Sequence, residues 1–554
     1  MCAIDFSFRA RARNLQQISR ERLDVLVIGG GITGAGVARD AALRGLRVGL
    51  VERRDFAVGT SSRSSKLIHG GLRYLRQGDV ALVREAASER RVLQRLVPHL
   101  AQPMHMLVPV ATRWASAKLH LGLWAYDRVS RVRTAERHRM LGAAEVHALE
   151  PQLSSQAVYG AGLYYESVTD DARLVIATLK SAAMLGASMA NYAEVTGLLT
   201  DAGRLTGAMV RDAMTEAEFA ASAAVVVNAA GPWVDAVRLL GGASERPRLR
   251  LTKGVHLVLP RDRLTVSRIV AIGTNDNRTI FVIPHGQVVY VGTTDTDYVG
   301  WYDEPGITAE DVSYVMEAVN KAFEGDITAR DIVSAWAGLR PLLQQEGKSP
   351  TEISRKDEVM LSPAGLISIA GGKLTTYRKM AERVVDLVMR RLAAAGRPLP
   401  EIRGESHDVL LSGGETGTDL GAFTATLKSR WPDVPPDVVE RLVPLYGSNA
   451  GEIAASMSRE PALARRCAPN TAVTRAEVAY AVQSEMAMTL RDFLERRARL
   501  LLWDISNGLT VAPEAARTMG ELLGWDAGRV EAEVGEYRAH VQAVRAFLLE
   551  ANPG

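Results

Sequence analysis

"LDVLVIGGGITGAGVARDAALRGLRVGLVERRD", residues 23–55, decides the fold. Val25 to Ile28 form a short apolar run, glycines follow at positions 29, 31 and 34, Ala38 comes one turn later, and a second apolar run ends at Glu52. That spacing predicts strand, tight turn, helix and strand. Gly29 permits the turn, Gly31 lets the backbone approach a pyrophosphate, and Gly34 lets the helix pack close to the sheet. Ile32 and Thr33 open the helix, whose unpaired N–H groups then face the phosphates. Glu52 is placed to accept ribose hydroxyls. The expected fold is α/β, a doubly wound, Rossmann-like domain.

The first motif alone does not separate NAD from FAD, and two distant segments do. "AAVVVNAAGPWVDAV", residues 223–237, is a buried strand entering a small-residue turn at Ala229 and Gly231. "GLISIAGGKLTTYRKMAERVVDLV", residues 365–388, is a strand passing through Gly371 and Gly372, with Lys373, Leu374 and Thr375, into a long amphipathic helix. A helix N-terminus approached closely by backbone suits a reduced flavin, because its partial positive charge stabilises negative charge on the ring. Three such units suit an extended dinucleotide, so the cofactor is read as FAD. Noncovalent attachment is expected, since neither Cys2 nor Cys467 lies in a flavin-attachment motif.

Composition sets the outer bounds. With 554 residues and 47% hydrophobic residues the chain can bury a large core over two or three domains. A formal charge of +4 is too mild to identify a nucleic-acid partner, and two lone cysteines argue against metal clusters and disulfides. No metal site is expected, and no uncharged apolar run is long enough to span a bilayer. Residues 20–395 read as the FAD-binding domain, interleaved with an antiparallel substrate-binding sheet at about 80–145 and 250–340. Residues 396–408 read as a Pro/Gly-rich linker, and 409–554 as a helical domain.

Together with "TSSRSSKLIHGGLRYL" (60–75), "LTKGVHLVLP" (251–260), "FVIPHGQVVYVGTTD" (281–295), "AGLRPLL" (337–343) and "GGKLTTYRKMAE" (371–382), these segments resemble the FAD-dependent glycerol-3-phosphate dehydrogenase family. The likeness runs in order through the first 400 residues and continues more weakly through "YGSN" and "SEMAMTLRDFLERRARL". It implies oxidation of sn-glycerol 3-phosphate to dihydroxyacetone phosphate by hydride transfer to flavin N5. It assigns substrate binding to Arg73, Arg340 and Lys373, with Tyr74 framing the substrate, and leaves Arg340 and Lys373 either to hold the phosphate or to stabilise a developing alkoxide. His256 is the expected base, although a histidine on an apolar strand is also an ordinary core group, and the sequence leaves both readings open. Ser61, Ser62, Ser65, Lys66 and His69 are expected at the flavin, with Gly70 and Gly71 letting the chain pass close to the ring.

The resemblance also implies a cytoplasmic enzyme held peripherally on the inner face of the cell membrane, with quinone as electron acceptor; a homodimer is left open. Residues 113–139 carry seven Lys and Arg with Trp114, Leu121, Trp124 and Tyr126 among them, a pattern suited to an anionic membrane surface. The N-terminal "FRARARNLQQISRER" adds a second basic stretch. An O2-using oxidase of the same substrate and an amino-acid or hydroxy-acid oxidase of the same fold remain as rival readings.

Overall fold

The computed structural model describes residues 5–550 except 73–74, 76–78, 156–157, 243–246, 277, 345–356 and 403. The strand Leu23–Ile28, the helix Ile32–Leu43 and the strand Val48–Val51 lie where the first motif placed them. Leu23–Ile28 pairs in parallel with Val48–Val51 on one side and with Glu218–Asn228 on the other. Ile367–Ala370 and Ser188–Ala190 extend the parallel sheet outward, and Glu358–Leu361 closes one edge antiparallel. Both faces of the central strand are covered, which is why it reads as a continuous apolar run rather than an alternation. Helices Ile32–Leu43, Asp171–Met184 and Tyr377–Ala394 pack on one face. The other carries the N-terminal helix Phe8–Arg20 and an antiparallel meander of Ala193–Asp201 and Arg204–Asp212 on the first half of Glu218–Asn228.

The second sheet is almost wholly antiparallel. Leu249–Pro260 is its longest strand and pairs with both Val288–Gly292 and Ser334–Leu343. The sheet continues through Thr279–His285 and Ile269–Gly273, then by one parallel pairing to Gln102–Val110, and on to Gly160–Val168 and Leu67–Ile68. Gly160–Val168 and Leu67–Ile68 therefore add to the two segments expected to build it. Leu67–Ile68 matters because it draws this stretch away from the parallel sheet and onto the antiparallel one.

Beyond residue 396 the chain is irregular to about residue 419 and then helical, from Leu420–Arg430 to Phe547–Glu550. Arg39 donates to the carbonyls of Ser406 and Val409, so this irregular stretch is stitched to the helix of the first motif. Residues from both parts share one apolar core, in which Met106, Tyr290 and Trp336 meet Phe493, Leu494 and Leu500.

Candidate active site

A cavity of ≈ 320 Å³ opens at the carboxyl ends of the parallel strands, where Ile28, Val51 and Ile369 line it. This is where an open α/β sheet receives its ligand. Gly31, Ile32 and Thr33 bring the helix N-terminus to the cavity wall. Gly31 is the N-cap and makes no side-chain cap bond, while the N–H of Ile32 donates to Ser61 Oγ at 3.0 Å. Gly29 has φ +111° and lies so close to the neighbouring strand that a Cβ would stand 2.7 Å from the Ala229 carbonyl oxygen. A Cβ on Gly34 would stand 1.9 Å from the Gly29 carbonyl oxygen, so only glycine lets this helix approach its strand.

Glu52 ends its strand at the cavity and accepts the N–H groups of Gly30 at 2.7 Å and Arg54 at 3.0 Å. Burial pushes its carboxyl up. Ala229, Gly231, Gly372, Lys373 and Leu374 complete the expected lining. An extended dinucleotide fits this arrangement: a helix N-terminus opening on the cavity for phosphate, an acid at the strand end for ribose, and two further glycine turns. Arg53, Thr60, Val195, Trp233, Pro341 and Met380 also line the cavity and were not anticipated. The Arg53 guanidinium lies over the Trp233 ring at 5.3 Å. Trp233 sits inside a motif already singled out, whereas Val195 carries no glycine or charge signal.

The remaining expected residues form a second group beside the cavity. His256 and Arg340 lie on paired strands, His256 opposite Trp336 and Arg340 opposite Thr252, so the two share one face of the sheet. Arg340 donates to Asp295 at 3.0 Å and to Thr293 Oγ1 at 3.0 Å. The His256 ring stacks on Trp336, with centroids 4.7 Å apart and planes 9° from parallel, and its Nε2 meets Ser65 Oγ at 2.9 Å. Burial, reinforced by the charges of Arg340 and Lys66, holds His256 well below the usual histidine range, so the ring is neutral at pH 7. Its Nδ1 has no hydrogen-bond partner among the described residues.

The 60–75 stretch divides in two. Ser61 lines the cavity, whereas Ser62 is buried, with its hydroxyl turned to the Gly59 carbonyl. Lys66, expected at the flavin, points its amine elsewhere: to Asp171 at 2.7 Å, to the Ser62 carbonyl at 2.9 Å, and over the Trp336 ring at 4.9 Å. Burial lowers it to about 8. His69, Gly70, Gly71 and Thr375 are not among the residues that line the cavity, and Thr375 donates to the His69 carbonyl at 3.4 Å, joining the two motifs. The Gly70 N–H donates to Glu166 at 2.9 Å, and Glu166 also takes Arg90 at 2.6 Å. Arg73 and Tyr74 lie outside the described residues.

Residues 24–378 match the family model described as FAD dependent oxidoreductase, and residues 405–530 match the C-terminal domain of alpha-glycerophosphate oxidase. The aerobic glycerol-3-phosphate dehydrogenase of Bacillus subtilis (strain 168) is 40% identical over 94% of this chain and 95% of its own. That of Staphylococcus aureus (strain USA300) is 39% identical over 97% and 96%. The crystal structure of glycerol-3-phosphate dehydrogenase from Bacillus halodurans complexed with FAD superposes with a TM-score of 0.80 at 34% identity, covering 98% of both chains. The chain belongs to the aerobic glycerol-3-phosphate dehydrogenase family of FAD-dependent oxidoreductases.

Proposed function

We propose that this protein oxidises sn-glycerol 3-phosphate to dihydroxyacetone phosphate and delivers the electrons to a membrane quinone. The observation that carries the reading is the placing of a histidine and an arginine on one sheet face, beside a dinucleotide cavity whose wall includes Lys373. Bound FAD supplies the acceptor for the electron pair leaving C2. His256, being neutral, can take the C2 hydroxyl proton. Arg340 and Lys373 are the cations for the phosphate and for negative charge developing on the C2 oxygen. Asp295 and Thr293 fix the Arg340 guanidinium, so it meets substrate already oriented. The test is turnover of glycerol 3-phosphate, glycerol and an amino-acid panel with a dye acceptor. Activity on amino acids and none on glycerol 3-phosphate would replace this reading.

Quinone as acceptor requires contact with the bilayer. Among the described residues no helix is long and apolar enough to cross a membrane. The helix Arg113–Val129 instead offers a surface. Trp114 is 74% exposed, Leu121 65% and Trp124 46%, whereas Leu123 and Tyr126 are buried on its inner side. Lys118 lies over the Trp114 ring and Arg128 over Trp124, and exposed Arg131, Arg133, Arg137 and Arg139 follow. Apolar insertion with cations near anionic headgroups supports peripheral attachment to the inner face of the cell membrane. The N-terminal basic stretch contributes less than its sequence implied, since Arg11 is buried against Asp212. Trp114→Ser with Trp124→Ser should release the protein from anionic vesicles at low salt and leave dye reduction intact. Failure to bind such vesicles, with O2 reduced to peroxide as fast as a quinone analogue, would favour the oxidase.

A further inference from the structure

The turn Ser64–Lys66 that carries the hydroxyl on His256 is gripped from every side. The Ser64 carbonyl accepts the Trp336 indole N–H at 3.2 Å, and the Ser65 carbonyl accepts the Tyr290 hydroxyl at 3.3 Å. Asp171 holds the rest. Its Oδ2 accepts the Ser64 N–H at 3.0 Å and the Ser64 hydroxyl at 2.7 Å, and its Oδ1 accepts Lys66.

Asp171 is itself held by a residue from far along the chain. Arg499 donates through Nη2 to Asp171 Oδ1 at 3.1 Å, through Nε to Asp170 Oδ2 at 2.7 Å, and through Nη1 to the Glu495 carbonyl at 2.9 Å. Its side chain and that of Asp171 are both 0% exposed. Arg499 also adopts φ +62°, a conformation a non-glycine residue holds only when its surroundings impose it. It stands two residues after the π-helical turn Asp492–Arg497, another uncommon backbone form that recurs at functional sites. It lies within the C-terminal family match, outside the segment that matches the flavoprotein fold.

We infer that Arg499 is a positioning residue for the active site, acting through Asp171 and the Ser64–Lys66 turn to hold Ser65 Oγ on Nε2 of His256, and that the C-terminal helical region thereby supports a site whose cavity, among the described residues, is lined from earlier in the chain. The inference rests on the reading of His256 as the base. Without the Arg499 fork, Asp171 keeps Lys66 but loses one of the contacts that fix its carboxylate plane, and the turn gains freedom to withdraw Ser65. The ring would then be free to change which nitrogen carries its proton.

The test compares FAD-loaded wild type with Arg499→Met and Arg499→Lys. Arg499→Met should lower kcat for glycerol 3-phosphate at least tenfold, with KM within about threefold, full FAD content, and a displaced acid limb of the kcat/KM profile. Arg499→Lys, which restores the charge but not the fork, should recover only part. Histidine labelled with 15N, with His256 assigned through a His256→Gln variant, gives a readout without turnover: the His256 nitrogen shifts should move in Arg499→Met. Wild-type kcat and unmoved shifts, or a kcat that falls only in proportion to lost FAD, would overturn the inference. Should Arg499→Met fail to fold, Ser64→Ala removes one bond to Asp171 from the other side and should move the same observables in the same direction. If wild type does not oxidise glycerol 3-phosphate, the functional reading fails while the nitrogen shifts still decide whether Arg499 controls His256.

Discussion

Single residues in this site are constrained by backbone proximity more than by side-chain chemistry. At Gly31 an added Cβ would stand 3.1 Å from Ser61 Oγ, at the point where the helix N-terminus meets the cavity. Gly31→Val should purify colourless, with flavin absorbance below about a tenth of wild type, because the branched side chain fills the phosphate position. Gly70 is tighter still, since a Cβ there would lie 1.8 Å from the Tyr126 hydroxyl oxygen and 2.9 Å from Cζ. Overpacking of this kind costs about 1–3 kcal/mol, so Gly70→Ala should lower the melting temperature. Tyr126→Phe removes the nearer atom and should recover part of the loss in the double variant, a non-additivity that a double-mutant cycle measures. The glycines of the first motif were legible because their spacing reports backbone geometry directly. The role of Lys66 was not, because its ion-pair partner Asp171 lies 105 residues away and nothing local to Lys66 distinguishes a cofactor lysine from a buried paired one.

Among the elements, the helix Arg113–Val129 shows why an amphipathic pattern misleads when read alone. Leu123 and Tyr126 spoil a clean apolar stripe in sequence, yet they face inward while Trp114 and Trp124 face solvent, so the helix has one apolar face buried and another exposed. The short turn Pro98–Leu100 illustrates the opposite case, a single titratable side chain sealed between elements. His99 is buried where Gly413 and Gly447 press on its ring, and burial, with Arg173 nearby, lowers it to about 3. In the unfolded chain it titrates near 6.5. The unfolded state therefore binds the extra proton between these values. The stabilisation is complete above pH 6.5 and declines as pH falls toward 3, by about 1.4 kcal/mol per unit. His99→Gln should flatten the fall in melting temperature between pH 6.5 and 5, measured with FAD content held constant. An unchanged slope would show that His99 titrates alike in the folded and unfolded protein.

The flavin domain and the C-terminal helical region are joined by charge as well as by apolar packing, and this arrangement was the least legible in the sequence. Hydrophobic periodicity identifies a helical C-terminal part but carries no record of which arginines of "RDFLERRARL" turn inward, because burial of a charge is decided by a partner elsewhere in the chain. Asp55, three residues after Glu52, is that partner for two of them. Its carboxylate, 1% exposed, takes Arg496 at 2.6 Å and Arg497 at 2.6 and 2.9 Å, and also accepts the Asn191 amide at 3.1 Å. The two arginines hold the Asp55 carboxyl below the usual range despite its burial. Removing the acid leaves two buried guanidinium groups sharing what remains, Asp492 and Glu495 for Arg496 and the Glu485 carbonyl for Arg497. Breaking a buried pair in this way costs about 3–5 kcal/mol, more than an apolar truncation of similar size on the surface. Asp55→Ala should therefore lower the melting temperature sharply, and because Asp55 stands three residues after Glu52, which lines the cavity, it should also speed release of FAD. Asp55→Glu keeps the charge and should retain most of both. A melting temperature in Asp55→Ala equal to that of wild type would mean that the two arginines reach solvent or another acid, and that the apolar core shared by Tyr290, Trp336, Phe493 and Leu500 is enough to join the two parts.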